Sequence, residues 1–187
     1  MKEALQRSPL APERFPDLPV IDGLRVASVA AGVRYRDRPD VMLAVLAPGS
    51  VVAGVFTRSS TRAAPVLDCE AKVGLDSDAG AAILVNAGNA NAFTGKHGAD
   101  AVASITQAVA EVTGLPESRV FTCSTGVIGE PLPHARITAN LAALVAGYTR
   151  HSPLSAGEID CLWPLMLMRL AVSVTNSGLQ KQARPDD

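Results

Sequence analysis

Residues 81–95 read AAILVNAGNANAFTG, and this stretch decides the fold. Its first five residues, Ala81–Val85, are wholly apolar and predict a short strand that is buried on both faces. A polar, glycine-bearing segment follows at Asn86–Gly95. A helix comes next, because apolar residues recur at helical spacing at Val102, Ile105, Val109 and Val112. Gly114-Leu115-Pro116 ends that helix.

The chain downstream repeats the same alternation. Arg119–Cys123 predicts a further strand, and Ser124-Thr125-Gly126 predicts an exposed turn at its end. A second amphipathic helix is indicated by Ile137, Leu141, Leu144 and Tyr148. Strands and helices in this order are typical of layered α and β elements, so the predicted fold class is α/β.

Apolar runs upstream predict further extended segments. Leu24–Val33 is the first strand. Val41–Ala47 and Val51–Thr57 flank Pro48-Gly49-Ser50, and this pattern predicts a strand, a tight turn and a strand, hence a hairpin. Ala63–Leu67 continues toward another extended segment.

The composition changes near both ends of the chain. Residues 1–20 predict an irregular lead-in, residues 21–149 a globular domain, and residues 150–187 a divergent tail. The lead-in has no apolar core of signal-peptide length, and no apolar run reaches membrane-spanning length. We therefore expect a cytoplasmic protein without a membrane partner.

Charge and cysteine content exclude two classes of protein. The 17 basic and 18 acidic residues give a net charge of -1, so we expect no nucleic-acid partner. The three cysteines (Cys69, Cys123 and Cys161) are far apart and the histidines are dispersed, so we expect no metal site and a reducing compartment. The apolar flanks of Cys123 predict a buried structural thiol.

The Ser124-Thr125-Gly126 segment has two interpretations. A hydroxyl and glycine amides fixed at a strand end can stabilise the oxyanion of an acyl-transfer intermediate. Such residues also form turns that only reverse the chain.

The asparagines at positions 86, 89 and 91 also have two interpretations. They satisfy backbone groups in turns, or they shape a ligand pocket at a strand end, and Asn86, Asn89 and Asn91 are the pocket candidates. The segment has neither the phosphate-loop ending nor the dinucleotide fingerprint.

Charged residues elsewhere suggest ordinary roles. Arg58 and Arg62 fit solvated side chains or partners of an acid at a subunit contact, and the alternative is that Thr57 and Arg58 face a pocket. Asp100 lies in the first turn of the helix that begins near His97, where an acid complements the helix dipole. No Ser/His/Asp set is evident.

Three segments together resemble one family. They read GVFTRSSTRAAPV (residues 54–66), VNAGNANAFTGKHG (85–98) and STGVIGEPLP (124–133). Their order and separations are similar to the α chain of ornithine acetyltransferases, also called glutamate N-acetyltransferases, of arginine biosynthesis. The resemblance covers roughly residues 20–148. It implies an α+β layered sandwich of the ornithine acetyltransferase/DmpA-like type, incomplete at its C-terminus.

The resemblance also implies a reaction. In the family, a precursor cleaves itself before a threonine, which becomes the N-terminal nucleophile of a β chain and passes acetyl from N-acetylornithine to glutamate. Some members also use acetyl-CoA. By the match, the Thr125 hydroxyl and the Gly126 amide form the oxyanion hole. Two α and two β chains form the working heterotetramer, and no cofactor is implied.

The sequence departs from the family after the second helix. Leu167 and Met168 stand where two substrate-binding threonines belong, and the Lys-Gly-Ser-Gly-Met and Met-Ala-Thr-Met-Leu segments are missing. Thr175 lacks the flanking pattern of a nucleophile. We therefore expect the chain alone to be inactive, to expose apolar surface and to self-associate. The alternative is a non-catalytic pseudo-subunit, or a truncated or frame-disrupted product, that only binds a homologue or a metabolite.

Overall fold

The structure is a computed structural model and describes residues 21–149. The elements of this part follow in chain order as β1 Leu24–Val29, β2 Val41–Leu46, α1 Ala64–Lys72, β3 Ala81–Asn89, α2 Gly95–Thr113, β4 Val120–Val127, α3 His134–Thr138 and α4 Leu141–Thr149. A short 3-10 turn at Glu117–Arg119 precedes β4. The mixed α/β class predicted from the sequence is confirmed.

The four strands form one sheet in chain order, β1-β2-β3-β4. The first two pairings are antiparallel and the third, β3 with β4, is parallel. Helix α2 makes the crossover that a parallel pair requires. Gly114 ends this helix, as the sequence predicted, and it adopts a left-handed conformation there. Strands β3 and β4 therefore end at the same edge of the sheet, where the polar sequence segments lie.

Two apolar clusters cover the two faces of the sheet. The larger one packs α2, α3 and α4 against β2, β3 and β4, through fully buried side chains that include Leu43, Leu84, Ile105, Ile137 and Leu141. The smaller one lies on the other face and contains Cys69 of α1, Ala81 and Phe121, with Val52 and Phe56 partly buried against them. The second face is thus covered over only part of its length.

The predicted hairpin of Val41–Ala47 with Val51–Thr57 is wrong. Strand β2 forms as predicted, but residues 51–57 belong to no strand. Both edges of β2 are already occupied, by β1 on one side and by β3 on the other. The segment therefore has no free edge of β2 to pair with.

The predicted extended segment at Ala63–Leu67 is also wrong, because helix α1 begins at Ala64. Pro65 lies in its first turn, where proline is favoured because its missing N–H would be unpaired there anyway. Pro65 and Cys69 are the buried residues, four positions apart on one face of the helix.

Other differences concern element ends. The first strand ends at Val29 rather than Val33, and two helices, α3 and α4, replace the single predicted helix. The side chain of Tyr148 lies outside the described part. So do the predicted lead-in (1–20) and tail (150–187), with Cys161, Leu167, Met168 and Thr175.

Candidate active site

The first asparagine of the candidate pocket belongs to β3, which extends beyond the predicted strand end to Asn89. Asn86 is buried, with 1% of its surface exposed. Its Nδ2 donates to the carbonyl oxygen of Asn89 (2.9 Å), and its Oδ1 accepts from the Ser124 hydroxyl of β4 (2.7 Å). Asn86 therefore ties the ends of the two parallel strands together.

The other two asparagines connect this strand end to the segments around it. The Asn89 Nδ2 donates to the carbonyl oxygens of Glu130 and Pro131, and its Oδ1 accepts from the Asn91 backbone N–H (2.7 Å). Asn91, at a φ of 47°, donates from Nδ2 to the Gly98 carbonyl oxygen in α2. Asn91 and Asn89 are both buried, so these bonds satisfy amides that water does not reach.

Ser124-Thr125-Gly126 does not form the exposed turn that was predicted, because β4 continues through it to Val127. The strand is prolonged since its partner β3 also continues, pairing Asn86 with Ser124 and Gly88 with Gly126. The Thr125 Oγ1 is buried and has no hydrogen-bond partner among the described residues. The Thr125 hydroxyl therefore has a proton that it donates to no described residue.

Gly126 lies directly against the end of β3. Its φ is +139°, and an added Cβ would lie 2.2 Å from the backbone carbon of Gly88 and 2.4 Å from the nitrogen of Asn89. The pairing of the two strands is irregular at Gly88 and Asn89. Only glycine fits at position 126, because a side chain would overlap the neighbouring backbone.

The outer edge of β4 is covered along the first part of the strand. The carbonyl oxygen of Val120 accepts from Lys72 Nζ (3.2 Å), and that of Thr122 accepts from the Cys69 thiol (3.4 Å). Both donors belong to α1, which begins at Ala64.

Neither of two cavities in the described part is lined by Thr125, Gly126 or the asparagines. One, of about 590 Å³, lies between the first turns of α1 and α2. The other, of about 540 Å³, is lined by Gly54, Val55, Phe56, Thr57, Arg58, Arg62 and Glu70. Arg62 forms an ion pair with Glu70 of its own chain rather than with an acid at a subunit contact.

Three expectations about single residues can be compared with the structure. Cys123 is exposed, so its prediction as a buried thiol is wrong; the fully buried part of β4 ends one residue earlier, at Thr122. Helix α2 begins at Gly95, two residues before His97. Asp100 therefore lies beyond the first turn, and its predicted place there is wrong, because the helix starts earlier than the sequence indicated.

In residues 21–149 no cluster of histidine, cysteine or acidic residues suits a metal ion. No helix there is long and apolar enough to cross a membrane.

Sequence reasoning assigned no individual role to three residues that organise this edge of the sheet, namely Ser124, Gly88 and Asp40. The buried Asp40 carboxylate accepts hydrogen bonds from the backbone N–H groups of Ala31, Gly32 and Val33. An acid just before an apolar run gives no sequence signal of this contact, because its donors lie seven to nine positions away.

Solved structures share this fold. The chain is similar to the ornithine acetyltransferase of Mycobacterium tuberculosis complexed with ornithine, with a TM-score of 0.61, 35% identity and 67% of each chain covered. It is also similar to the arginine biosynthesis bifunctional protein of Bacillus halodurans, with a TM-score of 0.59, 33% identity and 68% of each chain covered. The chain is thus of the mixed α/β class of the ornithine acetyltransferases.

The chain belongs to the ArgJ family, whose family model matches residues 25–161. The arginine biosynthesis bifunctional protein ArgJ of Ruegeria pomeroyi is 67% identical over 146 residues, which are 78% of this chain and 36% of that protein. The protein of that name from Bradyrhizobium diazoefficiens is 50% identical over 137 residues, 73% of this chain and 33% of that protein. The chain spans about a third of the length of these relatives. The resemblance stated from the sequence is confirmed.

Proposed function

We propose that residues 21–149 are the α-chain-like domain of an acyltransferase that moves acetyl from N-acetylornithine to glutamate. A second chain supplies the threonine nucleophile, so this chain alone is inactive. The observation that carries the proposal is the buried Thr125 hydroxyl beside Gly126, which has no partner among residues 21–149, in a chain of the ArgJ family.

The two donors suit an oxyanion. Acyl transfer passes through a tetrahedral intermediate whose oxygen carries negative charge, and donors fixed in advance stabilise it. In the described part the Thr125 hydroxyl has no competing acceptor, so its proton is available. The Gly126 N–H is the second proposed donor, and it belongs to the residue that directly follows Thr125.

The hydrogen-bonded asparagines stabilise the strand end that packs beside these two donors. We propose that Asn86, Asn89 and Asn91 form the pocket wall by holding the end of β3 in place rather than by reaching the substrate, because their amide groups are bonded to the protein. The end of β3 packs against Gly126. Holding β3 in place therefore also holds the backbone N–H of Gly126 in place.

Chain length supports a second chain. The 146 matched residues are 36% of the Ruegeria pomeroyi protein, which is therefore about 400 residues long. The two solved chains are covered to the same share as this chain, so each of them is about as long as this chain.

The sheet face beside Thr125 is only partly covered, with Val26, Met42 and Val85 half-buried. A second chain that supplies the nucleophile would pack against this face.

Reconstitution tests the proposal. The complementing chain is the part of the Ruegeria pomeroyi protein that follows the matched segment, beginning at its candidate nucleophilic threonine. We expect acetyl transfer from N-acetylornithine to glutamate only when both chains are present. Turnover by the purified chain alone would refute the proposal.

Thr125→Val in the reconstituted complex tests the donor itself. Loss of one oxyanion donor lowers turnover by on the order of a hundredfold. Thr122→Val is the matched control, because Thr122 Oγ1 is also buried and unpartnered in the described part but belongs to no proposed donor pair. Equal turnover of the two variants would show that the Thr125 hydroxyl is not an oxyanion donor.

The pseudo-subunit remains a second candidate function. It is favoured by Leu167 and Met168, which stand where the family has substrate-binding threonines. Formation of a stable complex without acetyl transfer would support it.

A further inference from the structure

We propose that residues 51–57 are a docking strand, which pairs with an extended strand of the second chain. The segment reads VVAGVFT and runs without a turn or bend, outside the sheet of its own chain. This inference rests on the proposed function, because it commits to the second chain as the occupant.

The backbone of the docking strand has no pairing partner in the described part of the chain. Within the described residues, no hydrogen bond joins the backbone of residues 51–56 to another element. The segment is nevertheless held at its start, where Arg119 donates to the carbonyl oxygen of Ser50 (2.6 Å). A fixed segment with free N–H and C=O groups is a template for strand addition.

Its side chains alternate with the period of a strand. Val52 and Phe56 are partly buried against the cluster of Cys69, Ala81 and Phe121. Val51 and Val55 point outward and are 90% and 99% exposed. Valine has a high strand propensity, and a packed pleated surface is where it is stable. Two valines exposed this completely on an unpaired backbone indicate a surface that another strand covers.

A groove beside the docking strand offers room for side chains of that strand. It is the cavity of about 540 Å³ that runs along Gly54–Arg58 and is closed by the ion pair of Arg62 and Glu70. Its lining mixes apolar Val55 and Phe56 with polar and charged side chains, and such a mixture is usual at protein interfaces.

The missing length of the family favours the second chain over a second copy of this one. About two thirds of each matched relative lies outside the aligned segment, and that length has to pack somewhere.

The test is a double variant, Val51→Lys with Val55→Lys, in the full chain. Both side chains are exposed, so we expect the variant to keep the wild-type melting temperature. We expect its affinity for the complementing chain to fall roughly thirtyfold or more, as for central interface residues. The matched control is Val112→Lys, an exposed valine on the regular helix α2, which should bind like wild type.

Amide hydrogen exchange then distinguishes strand pairing from side-chain contact. On complex formation, amides of residues 51–57 should become protected in alternation, because only every second N–H faces the added strand. Uniform lack of protection would overturn the inference, as would a double variant that binds like wild type. If the wild-type chain binds no complementing chain, the proposed function and this inference both fail. If the double variant instead abolishes self-association of the chain, the occupant is a second copy and the inference is wrong.

Discussion

The ends of β3 and β4 are neighbours and both carry polar side chains, but these side chains differ in whether they are hydrogen-bonded within the protein. At the end of β3, the amides of Asn86, Asn89 and Asn91 all have protein partners. At the end of β4, the Thr125 hydroxyl is buried and has none in the described part. Bonded groups stabilise the fold, whereas an unbonded one costs stability and is free to bind something else. The first strand end is therefore a support and the second a candidate site.

The largest effect is expected where the two strand ends touch. Gly126→Ala adds a Cβ that would overlap the Gly88 backbone, at a φ of +139°. Strain and overlap together should lower the free energy of unfolding by about 3 kcal/mol or more. Urea unfolding of the purified chain measures this change.

Gly129→Ala is the control for that variant. Gly129 also has a positive φ, of +84°, but a Cβ there would meet nothing within 4 Å. The backbone conformation alone should then cost about 1–2 kcal/mol. Equal losses in the two variants would mean that the close approach of Gly126 to β3 contributes nothing.

A smaller loss of stability is expected from substitutions of the hydrogen-bonded side chains at the end of β3. Asn86→Ala leaves the Asn89 carbonyl and the Ser124 hydroxyl without partners. Orphaned buried groups cost about 1–3 kcal/mol. Ser124→Ala removes only the second bond, so we expect about 1 kcal/mol or less. Unfolding midpoints in urea check both values, and an Asn86→Ala variant as stable as wild type would contradict the supporting role.

The sheet and α2 were predictable because their signals are local. Ala81–Val85 is apolar throughout, and the helix has a clear period and a glycine stop, so β3 and α2 lie where the sequence indicated. Residues 51–57 show an equally good strand pattern. Their failure to join the sheet depends on β1 and β3 occupying both edges of β2, which no local pattern reveals.

The candidate site was only partly predictable for the same reason. The sequence indicated Thr125, Gly126 and the asparagines by their types and by family resemblance. It gave no sign that β4 extends through Thr125, since that extension follows from pairing with β3 across the sheet. The bond of Ser124 to Asn86 spans 38 positions and has no sequence pattern.

A smaller effect of opposite sign is expected for the unbonded hydroxyl. Thr125→Val replaces a buried, unpartnered oxygen by a methyl group, which should leave stability unchanged or raise it by up to about 1 kcal/mol. Thr122→Val should behave alike in folding, because its hydroxyl is in the same condition. Thermal unfolding of both variants measures this. A clear loss of stability in Thr125→Val alone would show that its hydroxyl has a structural partner.

The smallest effect concerns the thiols of the same two elements, α1 and β4. Cys123 reaches solvent, but the surrounding protein desolvates its thiolate, and this effect, with a lesser one from Cys69, raises the pKa of Cys123 to about 11. Burial also raises the pKa of the Cys69 thiol. The unfolded chain loses these protons near pH 9.0, so the stability that the protonated thiols contribute is lost as pH rises from about 9 toward 11.

Alkylation by iodoacetamide as a function of pH tests this in a Cys161→Ser background. Cys123 should react faster than Cys69 at every pH because it is exposed, yet its rate should keep rising well above pH 9. The accompanying loss of stability should be slight for Cys123, since solvent screens an exposed group. A Cys123 rate that levels off near pH 9, as in the urea-unfolded chain, would mean that the end of β4 does not desolvate its side chains. The case for an unpartnered, buried Thr125 two residues further on would then weaken as well.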